Sequence, residues 1–151
     1  MFMLDVDQIS RMIARAYLAG IIDGEGCIGI EHLRANNKSR KKDYYLCRLT
    51  VINTDEELMK KLIFYFKGSY SMRKKIEGRK PCFAWRVFGD NQKMALQELY
   101  PYLYIKKPQA KLVLEYIDTI GKTGWHVTNE VLQKRKELWE QCKLLNSGPD
   151  K

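Results

Sequence analysis

Histidine is scarce in this 151-residue chain: His32 and His126 are the only two, and they stand far apart. The four cysteines, Cys27, Cys47, Cys82 and Cys142, form no CxxC pair, and no histidine pattern accompanies them. Zinc-binding spacings are therefore missing, and the thiols are expected to be buried and reduced. No apolar run approaches the roughly 20 residues of a membrane span. The opening "MFMLDVDQIS" carries Asp5 and Asp7 and lacks a basic-then-apolar leader, so the expectation is a protein kept inside a cell or organelle, not secreted and without a membrane partner. Acidic residues are in deficit: 18 Asp and Glu face 27 Lys and Arg, a net charge of +9. With 45% hydrophobic residues, the chain suits a single globular domain over 1–151, with 146–151 as a flexible tail.

The positive charge sits in two segments. Arg34, Lys38, Arg40, Lys41, Lys42 and Arg48 are opposed only by Asp43; Lys67, Arg73, Lys74, Lys75, Arg79, Lys80 and Arg86 are opposed only by Glu77. Together they exceed the net charge of the whole chain and leave the remainder slightly acidic. Charge of this kind speaks of anionic partners rather than of fold. Both segments read as hairpins. "CIGIEHL" alternates Ile28, Ile30 and His32 against Gly29, Glu31 and Leu33; the stretch from Tyr44 to Val51 alternates Tyr45, Cys47, Leu49 and Val51 against Tyr44, Leu46, Arg48 and Thr50. Period-two patterns predict half-buried strands. In the second pair, "SYSMRKK" and "CFAWRVF", Tyr70 and Met72 are expected in the core with Phe83, Trp85 and Val87, while Ser71, Arg73, Lys75, Ala84 and Arg86 face outward.

Helices separate the hairpins. Ser10 is expected to cap a first helix running to about Gly24, and Thr54 with Glu57 reads as a capping box before Leu58, with Gly68 as the stop. Asp90 is the expected cap of "NQKMALQELY", which Pro101 ends; Pro108 opens a helix that reaches Gly121. Thr128 caps a last helix whose apolar stripe includes Val131, Leu138 and Leu145. The order α-β-β-α-β-β-α-α-α implies an α+β fold: an antiparallel sheet with helices on one face and charge on the other. A basic sheet face can lie along a nucleic-acid groove.

The first helix ends in "AYLAGIIDGEG", with Ala16, Gly20 and Gly24 on one face and Asp23 and Glu25 at the end. A glycine inside a helix costs about 1 kcal/mol relative to alanine, but a stripe of small residues lets a second backbone approach closely. "LAGIIDGEG", residues 18–26, resembles the defining motif of the LAGLIDADG homing endonucleases, differing at Ile21 and Gly24 and carrying Glu25 in place of an aspartate. The predicted element order is similar to that family's αββαββα plan with its saddle-shaped sheet. "LYPYLYIKKPQAKLVLE", residues 99–115, looks like the family's later segment with a basic active-site residue.

The resemblance implies an intron-encoded, site-specific endonuclease that cleaves both strands of a long pseudo-palindromic DNA by metal-dependent hydrolysis. One motif copy implies a homodimer joined through Ala16, Ala19, Gly20, Asp23 and Gly24. Two Glu25 carboxylates ~6 Å apart would repel by roughly 3 kcal/mol at an effective dielectric of ~20, which a divalent cation relieves. Mg²⁺ is the implied ion, with Mn²⁺ as a substitute and Ca²⁺ supporting binding with little cleavage; Glu25 and the Gly24 carbonyl are the implied ligands. Lys106 matches the basic residue, with Lys107 as a replacement; Asn53 and, more weakly, Gln109 match polar residues that order active-site water. Implied DNA contacts come from Gly29, Glu31, Arg34, Lys38, Arg40, Lys42, Tyr44, Leu46, Arg48 and Thr50 in the first hairpin, and from Ser71, Arg73, Lys75, Arg79, Lys80 and Arg86 in the second. Leu33 and Leu46 fall on that face unless a bulge shifts the register. The competing functions are an RNA maturase acting on its host intron, a non-catalytic DNA-binding regulator on the same fold, and a basic structural protein.

Overall fold

The structure, a computed structural model, describes residues 5–36, 38, 43–121 and 127–148. Arg40, Lys41, Lys42 and His126 lie outside the described residues. The elements are α1 (Val6–Glu25), β1 (Gly26–Leu33), β2 (Tyr44–Asn53), α2 (Glu56–Phe66), β3 (Ser69–Met72), β4 (Phe83–Arg86), α3 (Gly89–Leu99), α4 (Lys107–Asp118) and α5 (Asn129–Ser147). Their order is the one the periodicities predict.

The helix starts depart from it. α1 begins at Asp5, not Ser10: the Asp5 carboxylate accepts from the Gln8 backbone N–H at 2.7 Å, and the Gln8 side chain accepts from the Asp5 N–H, closing a capping box. α2 is capped by Asp55, whose carboxylate accepts from Glu57 and Leu58 N–H groups, not by Thr54. α3 starts after Phe88 with no side-chain cap, and Asp90 lies within its first turn. In α1 and α2 a nearby acid takes the place of the expected hydroxyl, and in α3 the expected capping acid lies in the first turn, where it suits the positive end of the helix dipole. α4 has Pro108 in its first turn but ends at Asp118 rather than Gly121. Thr128 caps α5 as expected. Residues 146 and 147, placed in a tail from sequence, belong to α5, and the Asn146 amide donates to the Ile28 carbonyl at 3.2 Å.

The sheet is antiparallel in the order β1-β2-β4-β3. Ile28, Leu49, Val51, Phe83, Trp85 and Val87 line one face and pack with Leu18, Ala19 and Ile22 of α1, Leu58, Met59 and Leu62 of α2, and Leu96 and Val113 beyond. Two glycines are required by close approach. A side chain on Gly26 would meet the Ile22 backbone at 2.8 Å, where β1 leaves α1 directly; one on Gly68, at φ +85°, would overlap the Arg86 carbonyl. Two second-hairpin residues depart from alternation. Met72 is 59% exposed because β3 ends there, and Ala84, expected outside, is buried. Among the described residues no helix is long and apolar enough to cross a membrane.

Candidate active site and nucleic-acid face

The end of α1 gathers side chains distant in sequence. Glu25 is the last helical residue and is exposed. The Asn53 amide, at the end of β2, donates to a Glu25 carboxylate oxygen, while its own oxygen accepts from the Asp55 N–H at 2.8 Å. That second bond fixes which way the amide points, so Asn53 presents a donor to Glu25. Lys106 arrives from the segment between α3 and α4: its ammonium donates to the Asp23 carbonyl, and its backbone N–H donates to Asp23 Oδ1 at 2.8 Å. Tyr104 N–H donates to Asp23 Oδ2, also at 2.8 Å. Glu25, Asn53 and Lys106 thus converge on one helix end.

Other expected members do not join them. Gln109 is buried in α4 and its amide donates to Asn146 of α5 at 3.3 Å, leaving its carbonyl oxygen unpartnered among the described residues. Lys107 places its ammonium 5.1 Å from the Tyr100 ring centre, engaged away from Glu25. Ala19 is fully buried in the core beneath α1, and Asp23 spends its carboxylate on the 104–106 segment. Ala16, Gly20 and Gly24 are exposed, and a side chain added at Gly20 or Gly24 would meet nothing within 4 Å. The same side of α1 continues outward through exposed Ile13, Ile9 and Val6. The residue types at the helix end are hard oxygen donors, but among the described residues no three His, Cys, Asp or Glu side chains cluster as a metal cage.

The outer sheet face lies opposite the helices. β1 and β2 pair without interruption from Gly26↔Val51 to Leu33↔Tyr44, so no bulge intervenes and Leu33 and Leu46 share the face of Arg48. The Arg48 guanidinium forms an ion pair with Glu31. Partial burial works against its charge, and the Glu31 carboxylate more than offsets that, raising the Arg48 pKa. Arg86 sits opposite Thr50 and is exposed. Arg34, Lys38, Tyr44, Ser71, Arg73, Lys75, Arg79 and Lys80 are also exposed. Thr50 and Gly29 are not: the Thr50 hydroxyl donates to the Trp85 carbonyl at 2.6 Å, and Gly29 packs against Asn146 and Cys142 of α5. Strand parity put both on the outer face but could not show that a neighbouring strand and a helix cover them.

Sequence reasoning missed the support beneath the first basic hairpin. His32 stacks on Tyr45 at 4.8 Å between ring centres and meets Trp139 of α5 at 4.9 Å. Its Nε2 lies 2.9 Å from Asp43 Oδ2, and Asp43 Oδ1 accepts from the Ala35 N–H at 2.6 Å. The only advance signal was His32 on the apolar side of its strand. Burial pushes the Cys47 thiol up to about 12, so it stays protonated, as expected of a structural cysteine.

A sequence pattern described as LAGLIDADG endonuclease matches residues 18–121. The DNA endonuclease I-CvuI of Chlorella vulgaris is 29% identical over 133 residues, covering 88% of this chain and 80% of that protein. A crystal structure of the homing endonuclease I-CvuI with its target in 2 mM Ca superposes with a TM-score of 0.76 at 26% identity, covering 95% of this chain and 88% of the other. The archaeal intron-encoded homing endonuclease I-Vdi141I, complexed with DNA, shares the fold at a TM-score of 0.71 with 12% identity, over 92% of this chain and 86% of that one.

Proposed function

This chain belongs to the LAGLIDADG endonuclease family, and from that premise we propose that it cuts both strands of a long pseudo-palindromic DNA site as a homodimer, by divalent-metal-dependent hydrolysis. It is a DNA endonuclease; the assembly, the ion and the form of the target are our reading. One observation carries that reading: one exposed carboxylate, Glu25, stands at the end of a helix whose glycine face is open. One Glu25 and one Gly24 carbonyl make a sparse ligand set for a hard cation. A second chain packed on Ala16, Gly20 and Gly24 would bring a second Glu25 to the same place, and DNA phosphate oxygens would supply more donors.

Within that assembly the roles follow from the contacts. Glu25 and the Gly24 carbonyl would hold Mg²⁺, and Mn²⁺ in its place. When bound, the ion supplies a water of lowered pKa and a counter-charge for the phosphodiester. Asn53 orients the Glu25 carboxylate by its hydrogen bond. The Lys106 ammonium supplies positive charge at the helix end, where negative charge on the phosphate grows as the bond breaks. Arg34, Lys38, Arg73, Lys75, Arg79 and Lys80 neutralise phosphates, while Arg48, within β2, and Arg86, at the end of β4, are aimed at base edges. Leu46 can meet thymine methyl groups. The RNA and regulator readings gain no observation of their own.

The test uses a target selected by the protein from a randomised library, placed in supercoiled plasmid with Mg²⁺. Wild type should give linear product. The Glu25→Gln homodimer should bind the same site and leave the plasmid supercoiled, a loss of about a hundred- to a thousandfold, the scale of removing one preorganised electrostatic group from a catalytic site. Linear product from Glu25→Gln at the wild-type rate, or a wild type that sediments as a monomer on its target, would overturn the reading.

A further inference from the structure

The end of α1 concentrates negative charge. The helix dipole is negative there, Asp23 and Glu25 add two carboxylates, and the last turn holds no basic residue. The cation that meets this charge comes from elsewhere in the chain: the Lys106 ammonium donates to the Asp23 carbonyl, one of the last-turn carbonyls that lack a partner within the helix. What brings Lys106 there is not side-chain packing. The two residues before it, Tyr104 and Ile105, are 89% and 65% exposed. Their stretch is held by its backbone, through the Tyr104 and Lys106 N–H groups, each 2.8 Å from a different oxygen of the Asp23 carboxylate. One aspartate therefore takes both N–H groups with its side chain and the lysine's ammonium with its carbonyl.

We propose that Asp23 is a positioning residue for cleavage: it latches the 104–106 segment to α1 and so places Lys106 beside the Glu25 of its own chain. This rests on the endonuclease reading and gives Asp23 a role different from a subunit contact. It also explains why two acids lie so close at the motif's end. Glu25 is exposed and aimed outward, while Asp23 is turned to the protein's own backbone. Asp23→Asn keeps the shape but replaces one accepting oxygen with an NH₂ group that faces a backbone N–H, so one latch bond is lost.

The experiment is a double-mutant cycle on target cleavage under single turnover, with DNA affinity and sedimentation measured beside it. Asp23→Asn should slow cleavage by about ten- to a hundredfold, the range of a lost hydrogen bond to a charged group. It should leave target affinity and the dimer within about twofold, the scatter of near-additive effects. Lys106→Met should slow cleavage as well, and Asp23→Asn added to it should cost less than about twofold more, because the lysine it positions is already gone. Multiplying losses in the double variant, a wild-type cleavage rate for Asp23→Asn, or a loss confined to dimerisation would each overturn the proposal while leaving the endonuclease reading intact. A wild type that cuts nothing overturns both. Hydrogen exchange on the wild-type protein gives an arm that needs no variant to fold: the Tyr104 and Lys106 amides should be protected despite the exposed side chains around them, and unprotected rates there would refute the latch.

Discussion

The β1/β2 hairpin pairs over eight residues, from Gly26↔Val51 to Leu33↔Tyr44, whereas β3 and β4 pair over four. Both carry basic residues to the same outer face. The first is held along its length: α5 covers the free edge of β1 through Asn146, and His32, Tyr45, Trp139 and Asp43 brace its far end. Covering an edge strand in this way also prevents stray pairing. The second hairpin is held only at its root. Trp85 is fully buried, its indole N–H donates to the Lys67 carbonyl at 2.8 Å, and Tyr70 donates to Glu56 of α2 at 2.7 Å. Beyond that root every residue from 71 to 80 is exposed. The first arm is braced by a helix and a ring stack, whereas the second has only its root and its own backbone bonds, such as the Arg73 N–H to the Cys82 carbonyl at 2.8 Å.

The largest effect should come from breaking the root of the second hairpin. Trp85→Ala removes a fully buried aromatic together with its indole donor to the Lys67 carbonyl, while the backbone carbonyl that accepts from the Thr50 hydroxyl stays. Such truncations cost about 3–5 kcal/mol. Urea unfolding should show that loss, and hydrogen exchange should rise first in β3 and β4 while β1 stays protected. Exchange rising equally in both hairpins would mean that they are one cooperative unit and that the contrast drawn between them is wrong.

A smaller effect separates the two arginines borne on strands, Arg48 of β2 and Arg86 of β4. Arg48 is already paired with Glu31, so reaching a base means giving up that partner; Arg86 is exposed and sits in no ion pair among the described residues. A well-placed arginine on guanine is worth about 1–3 kcal/mol. Arg86→Ala should therefore relax base preference at one position per half-site by that amount, and Arg48→Ala by less, while Glu31→Gln should tighten binding by freeing Arg48. Removing a tip cation such as Arg79 should leave base preference alone and flatten the slope of log affinity against log salt by about 2 in the dimer, since each lost phosphate contact removes about 0.9. Equal losses for Arg48→Ala and Arg86→Ala would show that the Glu31 pair is no restraint.

How much of this was legible follows from the same contrast. The motif named Glu25, and the order of hydrophobic periods gave every element. Lys106 and Asn53 were reachable through the family resemblance, and the structure sets Asn53 at the end of β2 and Lys106 at the cap of α4. Caps were less legible, because Asp5 and Ser10, or Asp55 and Thr54, offer the same oxygen chemistry within a turn or so of each other, and only tertiary packing decides where the helix begins. Thr50, Gly29 and Ala84 have outward parity yet are buried, since parity knows nothing of the element lying across the strand. Gln109 turns to Asn146 of α5 instead, because a place in the first turn of α4 near Lys106 says nothing of which way its side chain points. The Asp23 latch spans 83 residues and is written in backbone N–H groups, which every sequence carries alike.

The smallest effect concerns the brace of the first hairpin, where it turns on a proton. Asp43 accepts from the Ala35 N–H and meets the His32 ring, and these hydrogen bonds, the Ala35 one foremost, hold its carboxyl below the ordinary value of 3.8. The sign follows from linkage. A carboxyl whose folded pKa is lowered binds its proton less readily than in the unfolded chain, so its contribution is complete above about 3.8 and disappears as pH falls through the lower folded value. Across neutral pH the brace should therefore not change through Asp43. In acid, the Ala35 amide should lose protection with a midpoint below 3.8, while the β3 and β4 amides, which among the described residues pair with backbone carbonyls rather than a carboxylate, should respond only to global unfolding. Carboxyl carbon shifts of Asp43 followed by NMR give the midpoint directly, and Asp43→Ala, which removes the acceptor, should make Ala35 exchange fast at every pH. A midpoint at or above 3.8, or an Ala35 amide that stays protected in Asp43→Ala, would mean that the aromatic stack alone stiffens the first hairpin.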